Sequence, residues 1–179
     1  MNLKNNTHEK LPYPYIRETL LKDEKLVYVA RPHWIVFFAS VTAILMALMI
    51  SQFGPSYFSL QIKVAGYDIY QLLAMLVFFV GLCWLTQACV RYYTSEYGIT
   101  DKRVLMKTGW IQRNSLEIFL RKLEAIHVNQ TILGRILNYG TIVIIGTGGT
   151  EDRYSYIPDP LGFRKRVQEQ ADLLIDEEK

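Results

Sequence analysis

Cysteine is scarce in this 179-residue chain: only Cys83 and Cys89 occur. Both fall in one apolar run, and on a helix six residues separate them by ~9 Å along the axis. That is too far for a disulfide. No disulfide framework or zinc spacing can be built from two such residues, so both read as small apolar side chains. Histidine is as thin, with His8, His33 and His127 widely separated. Nothing pairs them as metal ligands or as a base beside a nucleophile. A strong charge of one sign is also missing. The net charge of +3 is too small to argue for a nucleic-acid partner. The first 33 residues carry ten charges and no apolar core run, which does not read as a cleavable signal peptide.

The last shortage is the most informative. From Trp34 to Val90 the only charged residues are Lys63 and Asp68. Ile69 to Val90 is an uncharged run of 22 residues, and Ile35 to Phe53 is a second uncharged run without internal proline. About 20 apolar residues in a helix match the ~30 Å hydrocarbon core of a bilayer. Gly54-Pro55 is expected to stop the first helix. Trp34 on one side and Arg91, Tyr92 and Tyr93 on the other are what a membrane interface collects. The loop holds Lys63, while Arg17, Lys22, Lys25, Arg31, Arg91, Lys102 and Arg103 lie in the flanks. The positive-inside rule then predicts both termini in the cytoplasm. The expected division is a cytoplasmic N-terminal segment 1–33, a transmembrane helix 34–53, an external loop 54–68, a transmembrane helix 69–90 and a cytoplasmic domain 91–179.

After Arg91 the pattern becomes short strands with turn punctuation. Strands are expected over 92–100, 103–108, 110–120, 123–130, 139–145 and 153–157. A single helical turn is expected over Ile132–Leu137, and Gly146–Thr150 reads as a hairpin connection. Asp159-Pro160 opens a helix as N-cap and first residue. Phe163, Val167, Ala171 and Leu174 give that helix one apolar stripe. The result is a curved antiparallel sheet closed by a C-terminal amphipathic helix. Upstream, Leu26–Ala30 is β-prone. Because the helical hairpin returns the chain to one interface, this segment is expected to pair with the sheet and cover an edge.

Four blocks, in order, resemble bacterial pleckstrin-homology-like domains of the membrane-flanked type. They are Tyr97-x-Ile99-Thr100-x-x-Arg103-Val104, then Leu123-Glu124-x-Ile126-x-Val128-x-Gln130 with Gly134-Arg135-x-Leu137-x-Tyr139-Gly140-Thr141-Ile142. Gly146–Thr150 and Ile157-x-Asp159-Pro160-x-x-Phe163 complete the set. The pair of apolar helices entered through Arg31-Pro32-His33-Trp34 is similar to that family too. The resemblance implies an α+β membrane protein: a transmembrane helical hairpin, then a pleckstrin-homology-like split β-barrel with a C-terminal capping helix. It implies little about chemistry, because a shared fold does not import a ligand.

No catalytic constellation emerges. The glycine-rich loop 146–150 is followed by a strand and by Glu151 and Asp152, which repel an anion, so it does not read as a phosphate cradle. Gly134 reads as a bend, with Arg135 capping it or making a salt bridge. His127, Glu117 and Glu124 read as outward strand residues. The basic candidates for lipid head groups are Arg113, Arg121, Lys122, Arg164, Lys165 and Arg166. Three of them stand in the first turn of a helix, where the dipole disfavours cations. Small residues (Ala39, Ser40, Ala43, Ala47, Ala74 and Gly81) allow close helix contacts, within the hairpin or between chains. The expectation is a non-enzymatic, multi-pass protein of the inner (cytoplasmic) membrane, without cofactor or metal. It would present its domain to another membrane protein or to a second copy of itself. The alternative is a sensor of anionic lipid head groups; a membrane hydrolase would need convergent polar groups that the chain does not offer.

Overall fold

A computed structural model describes residues 13–21, 23–57, 63–64, 66–109, 114–147 and 149–176. The chain forms two compact units. One is Trp34–Tyr92; the other combines Met1–His33 with Tyr93–Lys179. The second unit is therefore discontinuous in sequence, with the apolar segment inserted into it.

The apolar unit is a pair of helices. A 3-10 turn, Trp34–Phe37, leads into helix α2, Phe38–Tyr57, and helix α3 runs Ile69–Thr94. (Helix α1, Pro14–Thr19, precedes them in the other unit.) Gly54-Pro55 does not stop α2, as the sequence had suggested; Pro55 lies inside its last turn. Apolar helices tolerate proline where neighbouring groups satisfy the carbonyl that it frees. Strands β2, Lys63–Val64, and β3, Tyr67–Asp68, pair in the connection. The seam between α2 and α3 is built from small residues. Ser40, Ala43, Ala47, Ala74 and Ala88 are buried. A Cβ added at Gly81 would come within 2.9 Å of Ile44 Cγ1 and 3.2 Å of its backbone nitrogen. Close contact inside the hairpin thus uses most of the expected small residues; Ala39 faces outward. Both helices pass the length and composition test for crossing a membrane, and only 17% of each apolar window is buried.

The discontinuous unit holds two antiparallel sheets. The first has strand order β1-β4-β5-β6: Leu26–Ala30, Glu96–Thr100, Arg103–Thr108 and Asn114–Phe119. The second has order β7-β8-β9: Leu123–Asn129, Tyr139–Gly146 and Glu151–Pro158. Helix α4, Ile132–Ile136, joins β7 to β8, and helix α5, Pro160–Asp176, ends the described chain. Among the described residues the strands form these two sheets and not one closed barrel. The strand expected from Tyr92 starts at Glu96 instead, because α3 continues to Thr94. The first part of the strand expected over 110–120 lies outside the described residues.

The core forms between the sheets. Tyr97, Ile99, Val104 and Met106 meet Ile142, Ile144, Tyr154 and Ile157. The expected stripe of α5 enters the same cluster: Phe163 and Val167 are fully buried, and Ala171 and Leu174 pack at its margin. Phe163 meets Tyr28 edge-on, with ring centroids 6.0 Å apart. Burial raises the phenol pKa of Tyr28, and of Tyr154 far more. Asp159 accepts the Gly162 N–H at 3.2 Å, as an N-cap should.

The N-terminal segment belongs to this unit. β1 pairs with β4 as expected, Ala30 opposite Tyr97 and Val29 opposite Gly98. The Glu96 carboxylate accepts the Ile16 N–H at 3.1 Å, satisfying a donor in the first turn of α1. Ile16 is fully buried, and its Cδ1 would lie 3.0 Å from a Cβ at Gly98. Larger residues at 98 would displace it. Glu24 and Arg103, 2% and 7% exposed, form a two-pronged ion pair with both contacts at 2.8 Å. Arg103 also donates to Glu117 at 2.7 Å and to the Thr19 carbonyl at 2.8 Å. The Thr100 hydroxyl donates to Glu24 at 2.7 Å. Glu117 is thus an exposed strand residue, as expected, but also a partner of Arg103.

Burial would raise the Glu24 carboxyl pKa. The bonds from Arg103, Thr100 and the Leu21 N–H outweigh that and hold it below its ordinary value. A carboxylate with a depressed native pKa stabilises the fold above the ordinary carboxylate range and loses that contribution as pH falls through it. Amide-exchange protection of Leu26–Ala30 is therefore expected to hold above about pH 5 and to weaken progressively as pH falls below it. In Glu24→Gln the protection should be lower at pH 6 and flatter as pH falls. Equal pH slopes for the two proteins would refute this assignment.

Candidate functional site

The chain leaves the discontinuous unit at His33 and returns to it at Tyr93. Around these two points aromatic and basic side chains gather. The Arg31 guanidinium lies 5.2 Å from the ring centre of Tyr13 and 6.0 Å from that of Tyr93. His33 stacks on Tyr139, with centroids 5.3 Å apart and planes 25° from parallel. Its N–H donates to the Tyr156 carbonyl at 2.6 Å. Burial pushes the imidazole pKa of His33 down, which favours the neutral ring.

Tyr156 owes its position to an irregularity. The β8–β9 register shifts between Gly140 and Ile142, so two residues of β9 face one of β8. At this bulge Tyr156 has φ +64°, a conformation costly for a bulky residue. Bulges re-aim side chains and interrupt sheet edges. Here the displaced backbone presents its carbonyl to His33, and the Ser155 carbonyl accepts from the Tyr97 hydroxyl at 3.2 Å. These bonds tie the two sheets at one corner. A cavity of about 260 Å³ opens beside the bulge, lined by Asn129, Thr131, Tyr139, Thr141, Ser155 and Tyr156. The Thr141 hydroxyl donates to that of Ser155 at 3.2 Å. The lining offers hydroxyls, one amide and aromatic edges, with no ionisable acid or base other than the tyrosine phenols. That chemistry suits hydrogen-bonded recognition better than proton transfer.

Helix α4 borders the same cavity through Thr131. Its cap is complete: the Gly134 N–H donates to Thr131 Oγ1 at 3.1 Å. The Gln130 amide donates to the carbonyls of Gly134 and Tyr139 at 3.3 and 3.1 Å. Gly134 lies inside the helix and does not bend the chain as the sequence had suggested; its role is close packing, because a Cβ there would sit 2.7 Å from the Tyr139 carbonyl oxygen.

The expected head-group residues are distributed as follows. Arg113 lies outside the described residues. Arg121 and Lys122 are exposed on a 3-10 turn, Leu120–Lys122, that packs against α5. On α5, Lys165 faces Glu169 at 3.7 Å. Arg166 reaches Asp159 at 3.3 Å and lies 4.4 Å from the centre of the Tyr28 ring. Helix α5 begins at Pro160, so residues 164–166 stand in its second turn and not in the first as the sequence had suggested; the dipole conflict falls off there, and Lys165 and Arg166 have local acidic partners. Arg164 is half-buried. His127 is exposed on β7, as its alternation with Ile126 and Val128 indicated, and Glu124 is exposed as expected, at a shift of register between Leu123 and Ala125.

Sequence reasoning found the basic and aromatic character of Arg31–Trp34 and Arg91–Tyr93. It missed Tyr139 and Tyr156. Both sit in strand patterns with nothing to mark the bulge that makes them neighbours of His33. Residues 35–171 match the family model described as a bacterial PH domain. No curated protein and no solved structure matches the chain. Helix α1 and strand β1 lie outside the matched residues, although they complete the first sheet.

Proposed function

The chain belongs to the bacterial PH domain family, and on that footing we propose that it is a membrane-anchored, non-catalytic interaction module. The observation that carries the reading is the outward face of the two long helices. Leu45, Met46, Leu48 and Met49 on α2, and Met75, Leu76, Phe79 and Trp84 on α3, are all exposed. The core helix of a soluble protein would bury such residues. A contiguous apolar surface of this size is stable against lipid and not against water. The lysine and arginine balance supports a multi-pass arrangement in the cytoplasmic membrane, with both termini in the cytoplasm and the connection between α2 and α3 outside.

The non-catalytic part of the reading is supported by the use of the buried charges. Glu24, Glu96 and Arg103 are spent on hydrogen bonds that hold the N-terminal segment. What remains for action is surface. The partner is another membrane protein or a second copy of the chain, brought together by confinement to one plane. The small residues at the hairpin seam lend no support to self-association, because they are occupied within the chain. A second reading, contact with anionic head groups, is favoured by the packing of the turn carrying Arg121 and Lys122 against the helix carrying Arg164, Lys165 and Arg166; Arg113 is included in that proposal from its sequence position.

Topology is tested with cysteine pairs removed and restored. With Cys83 and Cys89 replaced by alanine, a single cysteine at Ser56 should react with an impermeant thiol reagent on intact cells, any outer barrier having been opened. One at Thr150 should react only after lysis. Labelling at 150 in intact cells would invert the arrangement. Crosslinking in cells and mass spectrometry of the detergent-solubilised protein then test the partner. A strict monomer without co-purifying protein would remove the interaction reading and favour the lipid one.

A further inference from the structure

Helix α4 carries its large side chains on the face that a water-soluble domain would hide. Ile132, Leu133 and Ile136 are 81%, 62% and 73% exposed. Positions i, i+1 and i+4 fall within an arc of about 100° around a helix, and the residue turned toward the domain is Gly134. This pose is fixed. The bonds from Gly134 to Thr131 and from Gln130 to two carbonyls clamp both ends of the turn. Any side chain at 134 would push the turn off the Tyr139 carbonyl. The exposure is thus built into a rigid element.

What covers this face is indicated by its neighbours in the domain. Tyr139, whose carbonyl fixes Gly134, carries the ring on which His33 stacks. His33 is the last residue before Trp34, where the apolar segment begins. Helix α4 is therefore linked through Tyr139 to the last residue before the apolar segment. Arg135 on the helix is exposed, and Tyr139 and Tyr156 line the cavity that its N-cap Thr131 borders, with His33 stacked on Tyr139; these are residue types that populate a membrane–water boundary. The opposite end of β8 is unlike this one. There Thr147, Thr150 and Glu151 are exposed, roughly 24 Å away along the strand.

We propose that α4 is an interfacial foot: Ile132, Leu133 and Ile136 insert into the head-group and acyl boundary of the membrane spanned by α2 and α3. Five helical residues cannot cross a bilayer, but an apolar face of this kind reaches ~5–10 Å into the boundary. Arg135 then lies at the level of the lipid phosphates. The proposal rests on the reading of α2 and α3 as membrane spans. It adds a second, shallow contact between the chain and the lipid.

The test uses the full chain with both native cysteines replaced by alanine, carrying one bimane-labelled cysteine at a time: Val80→Cys, Ile136→Cys or Thr150→Cys. Each protein is reconstituted in vesicles of phosphatidylcholine and phosphatidylglycerol whose acyl chains are brominated either near the head group or near the bilayer centre. The label at 136 should emit to the blue and lose intensity to the shallow bromines. The label at 80 should lose intensity to the deep bromines, and that at 150 to neither. Quenching at 80 without quenching at 136 would leave the spans standing and overturn the foot. A blue-shifted but unquenched label at 136 would also overturn it, and would mean that a second copy of the chain covers α4. No quenching at 80 would remove the membrane-spanning reading itself, and the foot with it.

Discussion

Replacing Arg103 by alanine is expected to loosen the N-terminal segment from the domain at a cost of about 3–5 kcal/mol, the usual effect of stranding one member of a buried ion pair. Glu24 would be left in a buried site without the two contacts at 2.8 Å that offset its desolvation. The Thr19 carbonyl and Glu117 would each lose a donor as well. Lysine should rescue little, since an ammonium cannot reproduce the planar fork. The measurement is amide exchange over Leu26–Ala30 in the detergent-solubilised full chain. Exchange there should accelerate by roughly two to three and a half powers of ten, at about 1.4 kcal/mol for each. The double variant Glu24→Leu with Arg103→Met removes both charges and should recover most of the protection. If the single variant exchanges like the parent protein, Arg103 does not fasten the segment.

Phe163→Ala is expected to cost a similar ~3–5 kcal/mol by a different route, the loss of a large buried side chain and the cavity it leaves. Phe163 is fully buried in the cluster shared by both sheets and packs edge-on against Tyr28. Its removal withdraws support from β1, from the second sheet and from α5 together. Exchange should therefore speed up across the whole domain, where Arg103→Ala acts chiefly on the N-terminal segment. Leu174→Ala, at the margin of the same stripe, should cost clearly less. Equal losses for the two would show that α5 is not anchored at Phe163.

The two predictions divide along the line between what the sequence discloses and what it conceals. Phe163 is legible: helical spacing after Asp159-Pro160 gives the stripe, and burial follows. The apolar helices are legible for the same reason, as are the hairpin 146–150 and the pairing of Leu26–Ala30. Arg103 is not. As a residue it looks like one flank charge among many, and its pairing with Glu24 spans seventy-nine positions. The bulge at Tyr156 is equally hidden: the extra residue shifts the alternation by one, so that Tyr154 and Ile157, three positions apart, are both buried, and no residue type marks where the shift occurs. The small residues were seen, but only packing distances show that the hairpin itself uses them. The exposed triad on α4 was visible as an apolar turn. Only the clamp at Gly134 reveals which way it points.

The insertion of the apolar helices between β1 and β4 also sets a timetable for synthesis. Ala30 pairs with Tyr97, a partner made about seventy residues later, which at 5–20 residues per second is a delay of roughly 3–14 s. Throughout that interval residues 13–30 have left the ribosome with no β4 to pair with, and the Glu24 carboxylate has no Arg103 to meet. The first sheet can close only after α2 and α3 have been made. Assembly of the domain thus reports that both apolar helices have been delivered. A fragment begun at residue 93 would omit the waiting strand altogether, leaving the β4 edge open to whatever extended chain it met next.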